Sequence, residues 1–199
     1  SAVAASVLTV TSGVCTDNFT VSGTFEIDMP VKFDGSQIDL NITGADAILI
    51  SSDTEFENCD INGMAPLLNG IYSSLGFDLE FDRGTADDLE ILNQASDLDI
   101  FFTELSNCLV STNLSATSTY IDAIFNSCKS MVTQNSTLTS NLSEFTIVGA
   151  IPVLNGLGAI NVSGDSDYIG SLNEFNSCAY GIYADNAPPL TPGNETVTE

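Results

Sequence analysis

The chain has 199 residues with 27 Asp and Glu against 3 Lys and Arg, a net charge of −24, and no His or Trp. Cations as few and scattered as Lys32, Arg83 and Lys129 exclude the phosphate-neutralising patch of a nucleic-acid binder and disfavour anionic membrane surfaces. Without His there is no His-based triad and no imidazole metal ligand, yet 43% of residues are hydrophobic, too many for a disordered chain.

The first predicted element, residues 1–11, is uncharged. Its two alternating faces, one holding Val3 and Val7 and the other Leu8 and Val10, are both mainly small or apolar, so this strand is expected to be buried on both sides. The break Thr11-Ser12-Gly13 lets it lie apart from the body of the chain. The expected organisation is an N-terminal donor strand at 1–14, a β-rich globular body at 15–185 and a Pro-rich tail or linker at 186–199. No basic region precedes the apolar stretch that starts at Ala2, so a signal peptide is read as already removed and the protein as secreted. No run of 18 apolar residues suggests a transmembrane segment.

Through the body, short alternating runs rich in Val, Thr, Ile and Phe predict strands at 19–27, 31–33, 38–42, 47–50, 77–81, 98–102, 145–151 and 158–162. In the fifth of these, Asp78, Glu80 and Asp82 alternate with Phe77, Leu79 and Phe81, which gives one carboxylate face and one buried face. Such a ladder could attract Ca2+, but neither EF-hand spacing nor a closed oxygen cage is visible, and a solvated face is the favoured reading. Helical turns are expected at 65–74 and 86–92, the second opened by Thr85 with Asp88 at the capping-box position. A longer helix is expected at 117–132, where Tyr120, Ile121, Ile124, Phe125, Cys128, Met131 and Val132 share one arc at about 100° per residue. The resulting fold class is mainly β: a β-sandwich-like body with one to three short helices.

Three pairs of segments echo one another. Thr54-Glu55-Phe56-Glu57-Asn58-Cys59 resembles Thr103-Glu104-Leu105-Ser106-Asn107-Cys108 at an offset of 49, and Phe125-Asn126-Ser127-Cys128 matches Phe175-Asn176-Ser177-Cys178 at 50. Pro66-Leu67-Leu68-Asn69-Gly70 resembles Pro152-Val153-Leu154-Asn155-Gly156 at 86, so no single period covers all three, which argues against a solenoid.

Seven glycosylation sequons begin at Asn18, Asn41, Asn113, Asn135, Asn141, Asn161 and Asn194, roughly twice the number chance would give. Five have an apolar middle residue, which on a strand would enter the core and turn the Asn and the hydroxyl to water. Covalent N-glycans are therefore expected, and no other cofactor. The cysteines, Cys15, Cys59, Cys108, Cys128 and Cys178, form no CxxC pair, so zinc is disfavoured and disulfides are the default in an oxidising compartment. The echoes suggest pairing Cys59 with Cys108 and Cys128 with Cys178, which leaves Cys15 odd.

No catalytic residue or metal ligand is assigned. The phosphate-binding Gly motifs are missing, and Asp87-Asp88 and Asp165-Ser166-Asp167 read as turn residues rather than acid pairs. A secreted carrier of apolar ligands, with a pocket inside a β-rich shell, is the alternative function. The uncharged N-terminal strand ahead of a secreted β-rich body resembles the subunits of extracellular fibrils built by donor-strand complementation, including chaperone-usher pili. The resemblance implies a structural subunit with Val3, Val7, Leu8 and Val10 as assembly residues, polymerising head to tail with itself.

Overall fold

The computed structural model describes residues 13–41, 46–64, 70–74, 77–94, 97–113, 117–128, 131–134, 137–147, 158–163, 166–176, 180–185, 191–192 and 196–198. Every regular element among them is a strand. In chain order these are β1 (Val14–Cys15), β2 (Phe19–Val21), β3 (Phe25–Ile27), β4 (Val31–Asp34), β5 (Gln37–Leu40), β6 (Asp46–Ile50), β7 (Thr54–Glu57), β8 (Asp60–Asn62) and β9 (Gly70–Ser74). Next come β10 (Leu79–Asp82), β11 (Thr85–Asp87), β12 (Glu90–Gln94), β13 (Asp97–Phe101), β14 (Glu104–Ser106), β15 (Leu109–Asn113), β16 (Thr117–Ile121), β17 (Ile124–Cys128) and β18 (Met131–Gln134). The last are β19 (Thr137–Asn141), β20 (Glu144–Ile147), β21 (Gly158–Ser163), β22 (Asp167–Ser171), β23 (Glu174–Asn176), β24 (Tyr180–Asp185), β25 (Thr191–Pro192) and β26 (Thr196–Thr198).

Every third strand belongs to the same sheet. Sheet A runs from β1 through β4 and β7 to β25, sheet B from β2 to β26, and sheet C from β3 to β24, and all pairings are parallel. Parallel neighbours need a crossover of a dozen or more residues. Here the other two sides of the coil supply it, and the fold is a parallel β-solenoid.

One short motif builds each coil. In sheet A, Phe33, Phe56, Phe81, Ile100, Tyr120, Ser140 and Gly170 stack in register and point inward. Five positions later Ile38, Ile61, Ala86, Leu105, Phe125, Phe145 and Phe175 form the facing column in sheet B. Between the two columns the chain turns a corner through one residue of positive φ: Gly35, Asn58, Arg83, Phe102, Asp122, Leu142 or Leu172. The next residue is inward and mostly small: Ser36, Cys59, Gly84, Thr103, Ala123, Ser143 or Asn173. Space there is tight, since a Cβ added to Gly84 would stand 2.4 Å from the Cys59 carbonyl oxygen. The largest inward residue at the corner, Asn173, is matched by bonds rather than room. Its Nδ2 donates to the Ser140 carbonyl at 2.7 Å, and its Oδ1 accepts from the Ser143 N–H at 3.0 Å.

The coil corrects the sandwich expectation. Alternation of apolar and polar residues reports a half-buried strand in either architecture and does not specify its partner. The expected helix at 117–132 is instead β16, a corner and β17, followed by β18. Tyr120, Phe125 and Cys128 all face the interior because the corner adds two residues between sheets, and spacings of five and three imitate one face of a helix. The expected turn at 86–92 is likewise a corner between β11 and β12: Asp88 has φ 55°, and Thr85 Oγ1 donates to Asp60 Oδ1 across coils at 2.8 Å instead of capping a helix. Of the turn at 65–74, the part from Gly70 is strand β9, and the rest lies outside the described residues. Within the Pro-rich stretch, β25 and β26 pair with β22 and β23, so these segments belong to the solenoid rather than to a tail.

The sequence shows no single period because the step of the repeat varies. Successive members of the sheet A column are 23, 25, 19, 20, 20 and 30 residues apart. The Phe125 and Phe175 echo is a true structural equivalence, one step of 20 and one of 30. The Cys59 and Cys108 echo is not. Asn58-Cys59 turns the corner from A to B, whereas Asn107-Cys108 turns the one from B to C, by the same left-handed residue followed by a small inward one.

Candidate functional site

The outward side chains of sheet A form columns along the solenoid. Lys32, Glu55, Glu80 and Asp99 stand in register, beside Asp53, Asp78 and Asp97 on one flank and Asp34, Glu57 and Asp82 on the other. Adjacent strands are about 4.8 Å apart, and like charges directly opposite one another are destabilising. Two of the chain's cations answer part of that repulsion. Lys32 Nζ bonds Glu55 Oε1 at 2.7 Å and also Glu57, and Arg83 Nη2 bonds Glu57 Oε1 at 2.6 Å and also Asp82.

The remaining crowding raises the affinity of several of these carboxylates for protons. Partial burial, then the carboxylates of Asp53 and Asp97, raise the Asp78 pKa, and burial with Glu55, Asp99 and Asp82 raises that of Glu80. Asp99 is raised by burial too, against a lowering hydrogen bond from Thr119. At the end nearest β1 the face opens into a cleft of about 390 Å³ bordered by Pro30, Lys32, Asp53, Glu55, Asp78 and Glu80.

The carboxylate strand expected at 77–82 is thus one rung of a multi-coil acidic face, which a single strand's alternation could not reveal. The face can hold protons and draw diffuse cations. Among the described residues no group of three or more His, Cys, Asp or Glu is arranged to hold a metal ion, and the Ca2+ suggested for this ladder has no closed oxygen set here. No helix among those residues is long and apolar enough to cross a membrane.

The other predicted site residues scatter. Asn18 and Asn41 are exposed, and Asn18 Oδ1 accepts the Gln37 N–H at 2.7 Å. At Asn141 the expected alternation is inverted: Leu142 is exposed at the corner and Ser143 is buried, because the sequon spans a turn instead of a straight strand. Asn113 closes β15 opposite Gln94, and Asn161 pairs with Val132 and Tyr183. Asn135, Asn194, Cys178 and the assembly residues Val3, Val7, Leu8 and Val10 lie outside the described residues. Cys15, Cys59, Cys108 and Cys128 are buried free thiols. Cys59 sits at the A–B corner and Cys108 beside Cys128 at the B–C corner, so the geometry does not support the expected pairing of Cys59 with Cys108.

Comparison with protein-family models, with curated proteins and with solved structures finds no match.

Proposed function

We propose that the chain is a non-catalytic structural subunit of a secreted, N-glycosylated fibril or matrix, in which the solenoid serves as a stiff acidic rod. The observation that carries this reading is the continuous pairing of three parallel sheets around an interior filled by side-chain columns, from Phe33 to Phe175. Hydrogen bonds running along the axis through every coil resist bending, as in other quasi-one-dimensional repeat architectures. The apolar-carrier alternative needs a chamber where the stacked Phe rings stand, and so receives no support from the packing.

Polymerisation uses strand edges. Among the described residues the outermost strands, β1 to β3 and β24 to β26, pair on one side only, and an unpaired edge is a template for another chain. In this reading residues 1–12 supply a strand to a neighbouring subunit through Val3, Val7, Leu8 and Val10. Negative-stain electron microscopy of the native material tests it, alongside protein lacking residues 1–12. Fibres from the first and monomers from the second are expected. A full chain that stays monomeric by light scattering at high concentration overturns the assembly, as does a truncated one that still forms fibres.

A further inference from the structure

The corner between sheets B and C brings two sulfurs together. Asn107 and Ser127, with φ of 56° and 54°, make the turn in successive coils, and the residues after them, Cys108 and Cys128, are fully buried. The strands leading in are in register, Leu105 against Phe125 and Ser106 against Asn126, and the Asn107 N–H donates to the Asn126 carbonyl at 3.0 Å. One strand spacing, about 4.8 Å, therefore separates the two backbones, within the roughly 4.4 to 6.8 Å between Cα atoms that a disulfide spans. The side chains converge as well: the Cys108 N–H donates to Cys128 Sγ at 3.4 Å, while the thiols themselves donate to backbone, Cys108 Sγ to the Ser106 carbonyl at 3.2 Å and Cys128 Sγ to the Leu105 carbonyl at 3.1 Å.

We propose that Cys108 and Cys128 are oxidised to a disulfide that staples two adjacent coils. With a small disulfide such as oxidised glutathione as electron acceptor, both Cys S–H bonds break and one S–S bond forms. Two electrons pass to glutathione, whose own S–S bond opens and whose sulfurs take up the two protons. The attacking species is a thiolate, and the neighbouring Cys128 thiol together with burial holds Cys108 far above its ordinary pKa in the closed coil. Exchange therefore proceeds while the corner is still open during folding, and the finished bond is shielded from reductant. The staple also has a mechanical place. It joins the coil of Ile100 and Leu105, which has no aromatic ring in either facing column, to the coil of Tyr120 and Phe125, where the ring stack of sheet B begins.

Peptide mapping tests the bond directly. The full chain is refolded in a glutathione redox buffer, its free thiols are alkylated, and it is digested without reduction by an Asp-directed protease that cuts at Asp122 between the two cysteines. The expected product is one linked species with the mass of both peptides less two hydrogens, which reductant separates into the two; in the intact folded chain the same bond should resist reductant until denaturant is added. Alkyl label on both Cys108 and Cys128, or linkage of either to Cys15, Cys59 or Cys178, overturns the proposal. As a second readout, reductant should lower the thermal midpoint of the wild type by several degrees and leave that of C108S/C128S unchanged; an equal shift in both also overturns it. If the double variant does not fold, the wild-type map decides alone.

Discussion

Two stretches of the solenoid fill the same cross-section in opposite ways. From residue 33 to 86 the rings belong to sheet A, where Phe33, Phe56 and Phe81 stack with centroids 5.1 and 5.3 Å apart, facing Ile38, Ile61 and Ala86 in sheet B. From 125 to 175 the stacked rings belong to sheet B, where Phe125, Phe145 and Phe175 stack at 4.7 and 5.1 Å, while the facing column of sheet A shrinks from Tyr120 through Ser140 to Gly170. Where one side of the A–B corner narrows to Ala86, Ser140 or Gly170, a ring stands on the other, at Phe81, Phe145 or Phe175, so a small residue in one column is matched by a large one opposite, as a close-packed interior favours. The outer faces differ too. Carboxylates crowd sheet A in the first stretch, and Thr117, Thr119 and Thr139 replace them in register in the second.

The most damaging single change to this arrangement should be removal of a central ring. Phe145→Ala is expected to cost about 3–5 kcal/mol in urea unfolding, because the stack on both sides and Ser140 opposite cannot collapse into the void. Ser140→Phe should cost about 1–3 kcal/mol by overpacking. The two together reproduce the Phe81 and Ala86 pair of the first stretch, so the double variant should lose clearly less than the sum of the singles. Strict additivity in that cycle would break the volume argument.

Smaller effects sharpen the comparison at the corners and on the outside. Leu142 is 54% exposed at φ 56°, the place that Asn58 holds in an earlier coil, and a left-handed conformation disfavours branched bulk. Leu142→Asn should therefore raise stability by up to about 1 kcal/mol in the same assay. The smallest expected effect is on pH. The folded-state pKa values of Asp78, Glu80 and Asp99 are raised, so between the ordinary carboxylate pKa and the raised one the folded state binds more protons than the unfolded state. Stability must then fall as pH rises through that window. Hydrogen exchange, corrected for intrinsic rates, should show β7, β10 and β13 better protected at mildly acid pH than at neutral, while β16 and β19 with their threonines change less.

How far the sequence could be read depended on the distance over which each feature is determined. The strands expected at 31–33 and 47–50 lie wholly within β4 and β6, and those expected at 38–42 and 98–102 match as far as Leu40 and Phe101, because alternation is a property of neighbours. The corners were not legible, since Phe102, Leu142 and Leu172 at positive φ carry no turn signal, and the Phe102 and Leu142 N–H groups donate to the carbonyls of Ile121 and Ser171 in the next coil. Of the acidic face only the rung at 78, 80 and 82 showed; its neighbours Glu55 and Asp99 join it through pairings 25 and 19 residues away.

By itself the sequence determined the β character, the alternation of inward and outward residues, and a surface whose charge of −24 leaves little room for anionic partners. Only the tertiary structure decided that these strands stack in parallel coils rather than pack as two sheets, that Cys108 meets Cys128, and that a ring in sheet A is exchanged for one in sheet B. The physical reason is that period-two patterning specifies which face of a strand is buried, whereas register and partner depend on volumes and backbone hydrogen bonds contributed by residues a whole coil away, at steps too uneven to appear as a period.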